Sequence, residues 1–179
     1  SIGLAVFLLI MSAAFKWTGR ELGESILTRL RYLLAVFIGS VLLLETVRHL
    51  TNLYAAEHQA VEQFLLMGSN IYSRLFWEGQ ILLGSFLPLA LLLWPKWSDK
   101  RWSLLSAAGL VILGGLCQLY VILVGGQAFP LVLFPNAVVE SSFFDGMVNA
   151  YQPSIWELML GLGGVGVSLL VILMGLKVL

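Results

Sequence analysis

The sequence predicts an all-α integral membrane protein with about five transmembrane helices, and three observations carry that prediction. Long apolar runs, separated by charged or Pro/Gly-rich breaks, fill most of the 179 residues. Hydrophobic residues make up 59% of the chain and charged ones only 11%, with mean hydropathy +0.94, a balance that no single soluble core of this size could bury. Four of the runs, residues 32–54, 71–94, 103–127 and 154–179, reach the roughly 20 apolar residues a helix needs to cross hydrocarbon.

The elements follow in order. The run 2–15 is too short for a comfortable span, and it lacks the basic n-region and A-x-A site of a signal peptide. With Ser1 directly before it and Leu179 closing another apolar run, the expectation is a fragment: a partial first helix, then the second four-helix bundle of a subunit with eight to ten helices. The connection 55–68 interleaves Glu57, His58, Gln59, Glu62 and Gln63 with Ala60, Val61, Phe64 and Leu65, the pattern of an amphipathic helix lying along the interface. The connection 128–153 holds Glu140, Asp145, five aromatics and Pro130, Pro135 and Pro153; the prolines forbid a continuous helix, so an extended cap over the bundle is expected. Both a docking surface for a partner subunit and a loop that merely closes the bundle fit that composition.

Charge sets the expected orientation. With alternate connections on alternate sides, eight of the ten Lys and Arg residues fall on one side: Lys16, Arg20, Arg29, Arg31, Lys96, Lys100, Arg101 and Lys177. The other side holds Arg48 and Arg74. The positive-inside rule assigns the basic side, including the C-terminus, to the cytoplasm of a bacterial or archaeal cell. Trp94, Trp97, Trp102 and Trp156 stand at span ends, as interfacial aromatics do. Net charge is zero with no basic block, which excludes electrostatic nucleic-acid binding. The lone Cys117 excludes an intrachain disulfide, a Cys-ligated zinc site and an iron–sulfur cluster held by this chain alone.

Ionisable groups inside a span cost about 2.5–3.5 kcal/mol on insertion scales, so each needs a reason. Glu45, Arg48 and His49 share one face of the second span. Arg74, Glu78 and Gln80 lie near the outer entrance of the third, Gln118, Tyr120 and Gln127 in the outer half of the fourth, and Glu157 in the first turn of the fifth, where Ser154 can cap it. Four helices thus carry polar residues at one depth. One reading is a proton or quinone pathway through Glu45 and its neighbours; the other is a set of packing pairs, favoured for Arg74 and Glu78, whose i, i+4 spacing allows an intrahelical pair. Gly161, Gly163 and Gly166 match the dinucleotide-binding G-x-G-x-x-G only formally, since no strand precedes them; close helix contact, with Gly164 and Ser168 as a small-xxx-small pair, explains them better. Gly114, Gly115, Gly125 and Gly126 fit the same role. His49 and His58 are badly placed for a bis-His haem, and His58 with Glu62 makes no closed metal site.

Three segments carry a family resemblance: Phe76-Trp77-Glu78-Gly79-Gln80 running to Pro88, Tyr120 to Gly125-Gly126-Gln127, and Tyr151-Gln152-Pro153-Ser154 with Trp156-Glu157. Together they resemble the NrfD/PsrC-like membrane subunits of respiratory oxidoreductases, the polysulfide reductase family. Gly125 to Pro130 and Ser141 to Gly146 are most similar to its DsrP-like branch, linked to dissimilatory sulfite reductase. The resemblance implies a subunit that binds no cofactor of its own. It would exchange electrons between membrane quinone (menaquinone or ubiquinone) and a peripheral iron–sulfur subunit, with haem on cytochrome partners. It also implies that the quinone pocket lies mostly in the other bundle. Relatives often carry a carboxylate after the Phe-Trp pair, where this chain offers Glu78 and Gln80, and an arginine before Gly-Gly-Gln, where it has Gln118. Half of a transporter or channel, and a purely structural anchor, stay open beside the oxidoreductase reading.

Overall fold

In a computed structural model, which describes residues 1–19, 22–97, 100–130, 148 and 151–178, the chain is all-helical, with no strand among the described residues. The helices are α1 (Ile2–Trp17), α2 (Glu24–Tyr54), α3 (Ala56–Met67), α4 (Ile71–Leu93), α5 (Arg101–Ala128) and α6 (Ile155–Val178). Of these, α2, α4, α5 and α6 are long and apolar enough to cross a membrane, and α1 is a shorter apolar helix. The predicted cap at 128–153 falls almost wholly outside the described residues.

Helix α2 begins well ahead of its apolar run. Its 31 residues span about 46 Å at 1.5 Å per residue, more than the hydrocarbon thickness of about 30 Å, so its polar first turns reach the headgroup layer. Its hydroxyls stay satisfied by bonding back one turn: Ser40 to the Val36 carbonyl at 2.9 Å, Thr46 to Leu42 at 2.8 Å and Thr51 to Val47 at 2.8 Å.

Helix α4 is not regular. Between Leu75 and Phe86 it widens into π-helical turns, and the Ser85 hydroxyl donates to the carbonyl five residues back, Gln80, at 3.1 Å. Pro88 stands just beyond; its ring cannot donate and crowds the preceding turn, and a wider turn relieves that clash. Where the axes of α4 and α5 cross, Gly84 and Gly114 face each other so closely that a Cβ on either would collide with the other's backbone.

The apolar core joins α1, α2, the end of α4 and the start of α5 through Ala5, Leu8, Leu34, Ile38, Leu92, Leu104 and Ala107. Inside it the Ser103 hydroxyl donates to the Leu91 carbonyl at 2.7 Å. A second cluster, around Leu65, Tyr72, Phe76, Val121 and Ala128, seats α3 on the opposite end of α4 and α5. Asn70 locks that seat: its carbonyl oxygen accepts from the Ser73 N–H and its amide donates to Phe64 O, each at 2.8 Å. The Ser73 hydroxyl and the Trp77 indole both donate to Leu66 O at 2.9 Å.

Helix α6 opens on a capping box, with Ser154 N–H donating to the Glu157 carboxylate at 3.1 Å and Glu157 N–H donating to Ser154 Oγ at 3.4 Å. Almost all of its described side chains are exposed. The close contact expected of its glycines is therefore not made among the described residues: Gly164 meets no neighbour, and the Ser168 hydroxyl turns back to Gly164 O at 2.9 Å. Small residues permit close approach without supplying a partner. On α5, Gly114 and Gly125 do have one, the latter against Leu65 and Tyr72, while Gly126 has none.

Candidate functional site: a buried carboxylate–imidazole cluster

Glu45, His49 and Glu62 form the chemical centre of the described bundle. The periodicity of α2 turns Glu45 and His49 inward, leaving them only 6% and 7% exposed. Arg48, one step around the helix, keeps 37% of its side chain exposed. Glu45 Oε2 accepts from Arg48 Nε at 2.9 Å, with Arg48 Nη2 also at 2.9 Å, and its Oε1 accepts from the Gln118 amide of α5. His49 Nε2 lies 3.4 Å from Glu45 Oε2 and 3.0 Å from Arg48 Nη2, and its Nδ1 bonds Glu62 Oε1. Asn52 Nδ2 donates to Glu62 Oε2 at 3.1 Å. The Phe76 ring stands edge-on to the imidazole, centroids 4.8 Å apart.

A continuous polar chain thus runs from Gln118 through Glu45 and His49 to Glu62 and Asn52. Its buried carboxylates each have a partner, as burial requires: Arg48 stands against Glu45, and the His49 imidazole lies between Glu45 and Glu62. Beside it, a cavity of about 20 Å³ touches Glu45, Gln80, Ser85 and Gln118, about the volume one water centre occupies.

The structure therefore gathers Glu45, Arg48, His49, Gln80 and Gln118 and leaves the other sequence candidates apart. Arg74 and Glu78 are both exposed and make no ion pair among the described residues. Their spacing permits a pair, but at an exposed site the Coulombic gain is offset by side-chain entropy. Tyr120 stacks on Tyr72 at 6.2 Å, Gln127 is exposed, and Glu157 serves the α6 cap, also accepting from the Tyr151 hydroxyl. Glu62 is the residue that sequence reasoning missed. The pattern of 55–68 assigns it to the polar face, yet it is 2% exposed. The available signal was its place three residues before the buried Leu65, which puts both on one helix face.

Residues 1–131 match the family model described as Polysulphide reductase, NrfD. The chain belongs to the NrfD family. The match stops at residue 131, so of the segments carrying the resemblance, 76–88 and the Gly-Gly-Gln region lie within it and 141–157 beyond it. Among curated relatives, an Hdr-like menaquinol oxidoreductase integral membrane subunit from Archaeoglobus fulgidus is 28% identical over 98% of this chain and 45% of its own length. A selenate reductase subunit from Mesobacillus selenatarsenatis is 33% identical over 85% of this chain and 32% of its own. The NrfD chain described here thus spans less than half the length of the curated relatives it matches. No solved structure matches it significantly.

Proposed function

We propose that this NrfD-family chain is part of the quinone-interacting integral membrane subunit of a multi-subunit respiratory oxidoreductase in the cytoplasmic membrane of a bacterium or archaeon. Such a subunit exchanges electrons between the quinone pool and a peripheral partner that carries iron–sulfur clusters or haem. The observation that carries the proposal is the buried Glu45–His49–Glu62 chain in a family whose relatives here include a menaquinol oxidoreductase subunit and a selenate reductase subunit. Quinone chemistry couples electrons to protons, and a buried acid–base chain is what a proton-exchanging site needs.

The relay we propose has two steps. With His49 neutral, its Nδ1–H donates to Glu62 and its Nε2 accepts from Arg48 Nη2 at 3.0 Å. A proton arriving on Glu45 passes to Nε2, the Arg48 contact gives way, and Nδ1 releases its proton to Glu62, so one proton moves along the chain without the ring leaving its place. Gln118 and Arg48 hold Glu45 in position. Gln80 supplies a polar wall to the cavity beside it. The sulfur-linked branch resemblance makes sulfur or other anaerobic respiration the first context to examine, with the connection 128–153 as the proposed docking segment for the partner.

The test is the absorbance of the intact complex, isolated through this subunit, when a reduced quinone analogue is added anaerobically. Reduction of iron–sulfur or haem bands, blocked by a quinone-site inhibitor, is the expected result. Bands indifferent to quinol would return the chain to the transporter or anchor reading.

A further inference from the structure

The opposite end of the molecule, away from the acid–base cluster, holds a second site. A cavity of about 330 Å³ opens between the end of α1, the start of α2 and the first turns of α5. Lys16 and Arg101 line it, with the Ser12 hydroxyl, while Phe15, Leu27 and Leu104 supply apolar wall. Arg101 is held in place: its Nη2 donates to the Leu22 carbonyl at 3.0 Å and stands 3.6 Å from the largely exposed Glu24. Lys16 makes no ion pair among the described residues. Among the described residues the site is therefore net basic above and apolar below.

Its depth is fixed independently. Trp17 adjoins Lys16 and Trp102 adjoins Arg101, both indoles are exposed, and Trp94 and Trp97 stand at the same end with ring centroids 6.4 Å apart. Exposed tryptophans mark the headgroup level of a bilayer, so the two cations sit where lipid phosphates lie and the apolar wall where acyl chains begin. The amino end of α5, opening onto the same cavity, adds partial positive charge from its free N–H groups. A neutral quinone offers carbonyl acceptors but no charge, whereas a phosphodiester offers both to Lys16 and Arg101.

We propose that this cavity is a binding site for an anionic phospholipid, its phosphate held between Lys16 and Arg101 and one acyl chain lying along Phe15, Leu27 and Leu104. The site is separate from the acid–base cluster and does not rest on the quinone reading.

The test uses the complex purified through this subunit in mild detergent, comparing retention of labelled phosphatidylglycerol and phosphatidylcholine. At about 1 kcal/mol per basic side chain near the surface, Lys16→Gln is expected to lower the preference for phosphatidylglycerol about 5-fold, and the double Lys16→Gln/Arg101→Gln variant about 30-fold. Lys96→Gln, at the same end but outside the cavity, should change it by less than about 2-fold. Should the double variant fail to assemble because the Leu22 contact is lost, Lys16→Gln alone and Arg101→Lys, which keeps the charge, decide the matter. The first must lose the preference and the second retain most of it. Equal retention of both lipids by the unmodified complex, an unchanged preference in Lys16→Gln, displacement of the label by inorganic phosphate alone, or displacement by a quinone would each overturn the proposal.

Discussion

At the scale of single residues, His49 is the pivot, because it contacts both helix α2's own carboxylate and the one brought by α3. Removing it leaves two buried carboxylates facing one arginine. Breaking a buried charge cluster in this way costs about 3–5 kcal/mol, so His49→Ala is expected to lower the thermal midpoint of the purified subunit and its yield in membranes. Glu45→Gln keeps the shape and the Gln118 and Arg48 neighbours while ending proton acceptance. It should leave the complex assembled and lower quinone-linked turnover about tenfold or more; unchanged turnover would make Glu45 a packing residue. Tyr151 gives a separate pH signature outside the spans. Its hydroxyl donates to Glu157, which raises its ionisation above the ordinary tyrosine range. A raised value means that the bond is complete below roughly pH 10 and is lost as pH rises through the higher folded value. Ultraviolet titration should show Tyr151 ionising late, and Glu157→Gln should bring that component back towards the normal range.

At the scale of elements, the pairing of α4 with α5 depends on Gly84 meeting Gly114. A methyl group on either side must push the helices apart, and overpacking of this kind costs about 1–3 kcal/mol. Gly84→Ala should therefore destabilise the subunit in detergent, whereas Gly39→Ala, where nothing stands within 4 Å, should not; equal midpoints for the two would refute the crossing. The same crossing shapes the site, since α5 delivers Gln118 to Glu45 and α4 delivers Gln80. The π-helical turns of α4 were only half legible in the sequence. Pro88 announces a disturbance, but whether a helix answers with a kink or with wider turns depends on what its neighbours leave room for.

At the scale of the whole molecule, the contacts bring the basic segments together at one end. Arg101 reaches Leu22, and Lys177 shares a cavity with Trp17 and Thr18. The acid–base cluster and α3 lie at the other end. The positive-inside rule then makes a topological prediction. In intact cells of a Cys117→Ala background, His58→Cys should react with a membrane-impermeant thiol reagent, and Lys100→Cys should react only after permeabilisation. The reverse pattern would invert the orientation and place the lipid site in the outer leaflet.

Run length and composition carried the all-helical membrane class and its four crossing helices, because the need to match some 30 Å of hydrocarbon is written directly into them, and short motifs carried the family. The sequence also marked Glu45, His49 and Gln118 as residues needing an explanation, since an ionisable or amide group in lipid is costly wherever it points. Which of them meet is settled by how the helices pack. Helical periodicity gives the face a residue occupies on its own helix, but not the rotation of that helix against its neighbours. Thus Glu62, read as solvated, closes the cluster, whereas Arg74 and Glu78, read as a pair, stand apart. Inter-helix geometry is set by contacts such as Gly84 on Gly114 and the Asn70 lock, which form between residues distant in pattern and leave no period of their own in the sequence.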